Sequence, residues 1–179
     1  MTESSRPARL FFALWPDAAI QHALGRLGRA LQRQCGGRPL PPRNIHLTLA
    51  FLGEVARERV AELEALAAAV RSPRFSFDVD CVEYWRHNRI VWAGVTRCPA
   101  ALPTLVQGLE QGLSAAGFSV EKHSSYVPHV TLLRDARRAP AGAAMQAVAW
   151  PVASFSLVES VPRDGRRAYE VLREWPLGG

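Results

Sequence analysis

An α+β protein with mostly antiparallel sheets is written into this chain in its periodicities. Runs that alternate apolar and polar residues recur along its length, and three segments carry apolar residues at helical spacing. Turn-rich stretches separate them in the order strand–helix–strand–helix–strand–strand–helix–strand–strand–strand.

Residues 9–15 form the first strand. Pro16-Asp17 opens a helix with Ile20, Leu24, Leu27 and Leu31 on one face and arginines on the other. A Gly/Pro loop from Cys35 to Pro42 delivers a strand over 45–52. A second helix, about 56–70, turns Val60, Leu63, Ala67 and Val70 inward and Arg57, Glu58, Glu62 and Glu64 outward. Phe75, Phe77, Val79 and Cys81 then alternate with polar residues, and Ile90 to Val95 forms the next strand. Between them Arg86-His87-Asn88-Arg89 is a hairpin tip. The third helix, near 100–116, carries Leu102, Leu105, Val106, Leu109 and Leu113, with Gly117 as its stop. A strand follows at 127–133, then a polar, proline-containing loop from Arg134 to Gly142. The last two strands, about 153–161 and 167–175, flank the turn Arg163-Asp164-Gly165-Arg166.

Within this frame one pattern occurs twice: His46-Leu47-Thr48-Leu49 and His129-Val130-Thr131-Leu132. Period-two geometry sends His46 and Thr48 to one face of their strand, and His129 and Thr131 to one face of theirs. If the two strands lie together, two imidazoles and two hydroxyls converge. Phosphodiester cleavage needs a base for the attacking water and an acid for the departing oxygen, and histidine near its ordinary pKa of about 6.5 serves as either. The threonine hydroxyls can donate to the non-bridging oxygens without adding charge. No metal or other cofactor is called for. Two histidines with threonines also supply too few ligands for zinc, with no Cys or carboxylate at ligand spacing nearby.

The flanks extend the pattern: Arg9-Leu10-Phe11-Phe12-Ala13-Leu14, Asn44-Ile45-His46 through Phe51-Leu52-Gly53-Glu54, and Pro128-His129 through Leu133-Arg134-Asp135. On these residues the chain resembles the 2H phosphoesterase superfamily, and within it the bacterial RNA 2′,3′-cyclic phosphodiesterases, historically called 2′-5′ RNA ligases. The likeness runs from about Arg9 to Trp175. It implies two similar lobes about a pseudo-two-fold axis, with outer helices and one His-x-Thr strand from each lobe facing a central cleft. On that basis residues 1–179 make a single bilobal domain. It also implies opening of a terminal 2′,3′-cyclic phosphate to a 2′-phosphate, and a weak, reversible joining of tRNA halves through a 2′-5′ bond. Carried over, His46 is the proton donor to the leaving 3′ oxygen, His129 the proton acceptor, and Thr48 and Thr131 hold the phosphate. The residues alone leave open which histidine is acid and which base. Arg134 matches a substrate-side arginine of the family. Strict alternation from His129 puts it on the opposite face, so it helps only if the strand ends or curls there; otherwise it is a solvated arginine.

The composition is that of an ordinary globule, 48% hydrophobic and 21% charged. The 22 basic and 16 acidic residues leave a net charge of +6, mild support for an anionic partner such as RNA, and Arg38, Arg43, Arg163, Arg166 and Arg167 could hold its phosphates. Cys35, Cys81 and Cys98 have no metal or redox spacing and read as reduced thiols. Leu10 to Trp15 is too short for a signal peptide, and no run approaches the roughly 18 apolar residues of a membrane span. A cytoplasmic, membrane-free protein is expected, and nothing suggests more than a monomer. His22 reads as a surface residue and His87 as a turn residue, while His123, with Ser124 and Ser125, could touch substrate. Phe51, Tyr126 and Trp85 could stack a terminal base. Two rival functions stand beside the leading one: a phosphodiesterase for 2′-5′-linked oligonucleotides or small cyclic nucleotides, and a non-catalytic RNA-binding module.

Overall fold

A computed structural model describes residues 6–120, 126–142, 145–163 and 165–178; the Arg166 side chain lies outside that description, as do His123, Ser124, Ser125 and Asp164. The elements are β1 (Ala8–Leu14), α1 (Ala18–Cys35), β2 (Arg38–Pro39), β3 (Leu47–Val55), α2 (Val60–Ala69), β4 (Phe75–Val79), β5 (Cys81–Trp85), β6 (Ile90–Gly94), α3 (Ala101–Ala115), β7 (His129–Arg134), β8 (Val148–Val152), β9 (Ser154–Arg163) and β10 (Arg166–Pro176). Every strand pairing is antiparallel. One sheet runs β10-β9-β1-β3, a second runs β2-β7-β6-β5, and β4 pairs with β8 alone.

The two four-stranded sheets are built alike. In the first, β1 leads through α1 to β3, its paired neighbour; in the second, β6 leads through α3 to β7 in the same way. Each helix then crosses over. Helix α1 packs on β7, and α3 packs on β3. Both are amphipathic enough to do so. Ile20, Leu24 and Leu31 of α1 are buried, as are Leu102, Leu105, Leu109 and Leu113 of α3. The Asp17 side chain caps α1 by accepting the Ile20 amide at 2.9 Å. Gly117, at φ +72°, closes α3, and the Phe118 amide donates back to the Leu113 carbonyl at 2.9 Å. The main core draws on both sheets, from Leu10, Phe12 and Leu14 to Val91, Val130 and Leu132. Among the described residues no helix is long and apolar enough to cross a membrane.

Several boundaries differ from the sequence expectation. The first histidine strand begins at Leu47, not 45, because a 3₁₀ turn at Pro42–Asn44 leads into it; His46 is the residue just before the strand. The second helix starts at Val60, after a 3₁₀ turn at Arg57–Arg59. The alternation from Phe75 to Cys81 is two strands in different sheets. They break at Asp80, whose carboxylate accepts the Thr96 amide at 2.8 Å. Strands β2 and β8 lie where loop or nothing was expected. Pro151 sits inside β8, which among the described residues pairs only with β4 and so tolerates a missing donor.

Candidate active site

The two histidine strands belong to different sheets. β3 is the edge of the first and β7 is extended only by the two-residue β2, so the sheets meet along these strands. At the meeting point lies a cleft of about 740 Å³ lined by His46, Thr48 and Phe51 from the β3 side and by Arg134 from β7. Arg9, Arg38, Arg43 and Arg167 also line it, and among the described residues its wall includes no carboxylate. A cleft with five arginines and no acid in its wall suits an anion.

The histidines are held alike. The Nδ1 of His46 lies 2.7 Å from the Asn44 carbonyl oxygen, and the Nδ1 of His129 lies 2.9 Å from the Val127 carbonyl oxygen. A carbonyl only accepts, so each Nδ1 carries the hydrogen and donates it. Proton traffic at either ring therefore runs through Nε2. Aromatic rings surround both. His46 stacks on Trp15, with ring centroids 5.4 Å apart and planes 9° from parallel. Phe11 and Tyr169 sit 5.0 Å away on other sides. Trp85 meets His129 edge-on at 4.6 Å, and Trp92 at 6.1 Å.

This packing sets the charge of His46. Burial pushes its pKa down to about 4; the Asn44 bond raises it in opposition, and the charges of Arg134 and His129 lower it further. His46 is therefore neutral at pH 7 in the ligand-free protein, and it lies within electrostatic reach of both β7 residues.

Arg134 reaches the cleft through a β-bulge. Thr131 pairs with Trp92, but Leu133 pairs with Val91, so Leu132 is an extra residue in β7. The insertion reverses the parity, and Arg134 shares a face with Thr131 where unbroken alternation would oppose them. The Leu132 carbonyl is satisfied by the Leu40 amide at 2.9 Å, and α1 comes close at Gly28, where a Cβ would lie 3.3 Å from that same oxygen. After Arg134 the chain turns at Asp135, at φ +57°. The Asp135 carboxylate accepts from Arg38 Nε at 3.0 Å and pairs with Arg89 at 3.4 Å. The Arg38 bond leads in holding it below the ordinary carboxylate range.

Strand β3 carries the matching device. Thr48 pairs with Ala13 and Ala50 with Phe12, leaving Leu49 extra, so Phe51 shares a face with Thr48 and pairs with Phe11. Of the aromatics singled out from sequence, Phe51 is thus in the cleft. Trp85 is against His129. Tyr126 is a tie between the sheets instead, donating its hydroxyl to the Thr48 carbonyl at 2.9 Å. His129 and Thr131 are on β7, the strand that meets β3, and are not among the residues that line the arginine-walled cleft. Trp15 and Tyr169, which pack on His46, were not anticipated as site residues. Nothing in their local sequence marks them, since it is strand pairing alone that sets β10 on β9 and β9 on β1. Among the described residues no three His, Cys, Asp or Glu side chains gather as a metal site would require.

Known proteins resemble this chain in sequence and in fold. Residues 14–92 match the family model described as LigT-like phosphoesterase. An RNA 2′,3′-cyclic phosphodiesterase of Escherichia coli is 35% identical over 177 residues, covering 97% of this chain and 98% of its own. The enzyme of the same name from Thermus thermophilus is 29% identical, covering 96% and 91%. A crystal structure of E. coli LigT complexed with 3′-AMP superposes with a TM-score of 0.85 at 33% identity, covering 97% of this chain and 99% of that one. The chain, with two histidines fixed in the same way where its two sheets meet, belongs to the LigT-like phosphoesterases, the 2H family.

Proposed function

We propose that this enzyme opens RNA 2′,3′-cyclic phosphate ends to 2′-phosphates, without metal, by acid–base catalysis between His46 and His129. The observation that carries the reading is the matched pair of imidazoles. Each has its Nδ1 committed to the carbonyl two residues back, and they come from separate sheets beside a cleft walled by arginines. His46 gives a proton to the leaving 3′ oxygen and His129 takes one from the attacking water. Thr48 and Thr131 donate to the non-bridging oxygens, and Arg134 balances the phosphate charge. A neutral His46 must first gain its proton. The bound anion favours that by offsetting the Arg134 charge that lowers the His46 pKa. With a 5′-hydroxyl in place of water, the same pair would form a 2′-5′ bond, which is how tRNA halves would be joined. One chain supplies both histidines and the whole cleft, which supports a monomer. Cys35, Cys81 and Cys98 are all unpaired, which supports a reducing cytoplasm.

The test is incubation with a dinucleotide ending in a 2′,3′-cyclic phosphate, in EDTA. The expected product carries a 2′-phosphate. Turnover of only a 2′-5′-linked substrate would move the reading to that class, and tight binding without turnover would make the protein an RNA binder. His46→Ala and His129→Ala should each lower the rate at least about 10²-fold. Near-full activity in either variant would remove that histidine from the mechanism.

A further inference from the structure

We infer that Asn44 is a positioning residue that ties Arg167, at the head of β10, to the ring of His46. It grips the Arg167 main chain with its side-chain amide and the imidazole with its own carbonyl. The tie deepens the function proposed above and takes from it the role of His46 in turnover. Two histidines otherwise held alike differ here. Each ring donates Nδ1–H to the carbonyl two residues back. Behind His129 that residue is Val127, 40% exposed, whose side chain has no polar atom to anchor it. Behind His46 it is Asn44, only 5% exposed. Its backbone amide donates to the Pro41 carbonyl at 2.9 Å, and its carbonyl accepts from His46 at 2.7 Å. Its side-chain Nδ2 donates to the Arg167 carbonyl at 3.1 Å. Burying an asparagine is costly unless its amide finds an acceptor, and Arg167 provides one.

That bond spans the first sheet. In the order β10-β9-β1-β3, the turn carrying Asn44 leads into one edge strand, and Arg167 stands on the other. Among the described residues β10 has only β9 beside it, so Asn44 supplies a donor from outside the ladder. The His46 ring sits at this closure, 5.0 Å from both Phe11 of β1 and Tyr169 of β10. Arg167 itself lines the cleft. One buried residue therefore steadies a cation that can meet the phosphate. It also steadies the hydrogen bond that makes Nε2 the proton-carrying position of His46. Helix α1 braces the turn independently, since Gly25 admits Pro42, where a Cβ would lie 2.9 Å from the proline ring. Loss of the Asn44 amide should then loosen the turn without undoing it.

Nitrogen-15 NMR of the imidazoles in the intact protein, at neutral pH and without ligand, tests the grip on His46 without any turnover. The wild-type ring should show Nδ1–H alone. In Asn44→Ala the carbonyl is less firmly placed, so the Nε2–H tautomer should appear at His46 while His129 keeps its signals. Calorimetric titration with inorganic phosphate tests the other end. Arg167→Gln should weaken phosphate about 3- to 10-fold. In the Asn44→Ala background that loss should shrink by at least about twofold, because the arginine is already displaced. With a 2′,3′-cyclic nucleotide, kcat of Asn44→Ala should fall about 10- to 100-fold, the cost of a misaimed group. Asn44→Leu keeps the buried volume without the donor, and should reproduce these effects if the alanine variant folds poorly. A single tautomer at His46, equal changes at both rings, additive effects on phosphate, or undiminished kcat in an active protein would each overturn the tie. If tautomer and coupling change as expected while even the wild type leaves cyclic phosphates closed, the activity falls and the tie stands.

Discussion

His46 is a histidine kept neutral by its company. An unfolded chain protonates a histidine near 6.5, whereas His46 in the fold does so only near 4, chiefly because Trp15, Phe11 and Tyr169 shield it from water. Between those values the unfolded state binds the extra proton. Stability contributed above pH 6.5 is therefore lost as pH falls toward 4, by up to about 3 kcal/mol, and the loss levels off below that. Urea denaturation at intervals across the window should show the slope, and His46→Gln should remove that part of it. Arg134 acts on the same ring. Arg134→Gln removes a cation that lowers the His46 pKa, so the NMR titration of His46 should move up toward its ordinary value. Losing a charged hydrogen-bond donor should also weaken phosphate about 10- to 100-fold. A downward titration shift, or unaltered phosphate affinity, would place Arg134 outside the site.

Among the secondary-structure elements, the bulges decide what the cleft contains. The His-x-Thr pairs were legible in the sequence because period two holds from each histidine to its threonine. It fails just beyond, and the sign of failure is a doublet of buried apolar residues, Leu49-Ala50 in one strand and Leu132-Leu133 in the other. Unbroken alternation misplaces Arg134 for that reason alone. Helix α1 supports the second bulge: Gly28 lets it approach the Leu132 carbonyl. A branched side chain there must push the helix away or shift the bulge. Gly28→Val should destabilise the fold by about 1–3 kcal/mol, the usual range for overpacking, and weaken phosphate binding as Arg134 is displaced. Thermal unfolding and phosphate titration check both. A stable variant with normal binding would mean that the bulge does not depend on the helix.

Across the molecule, the alternating runs and amphipathic segments gave the class of fold, but not the partition of strands between sheets. Cys81 continues the alternation of Phe75, Phe77 and Val79, and nothing local announces that β4 and β5 part company at Asp80. The pairing of β4 with β8 joins residues too distant in sequence for any local signal, as Phe77 and Trp150 illustrate. The tie between Tyr126 and Thr48 is of the same long-range kind. Tyr126→Phe deletes the hydroxyl and leaves the Thr48 carbonyl short of a donor, so it should cost about 0.5–1.5 kcal/mol in urea denaturation. No loss would mean that water replaces the phenol there.

The crossing of the helices constrains motion. Because α1 braces the histidine strand of the opposite sheet and α3 returns the favour, the halves are laced together and cannot swing apart like covers of a book. Widening the gap would shear both braces across the backs of the sheets at once. Under the proposed function the groove would meet RNA at a nearly fixed width, with discrimination resting on preformed shape.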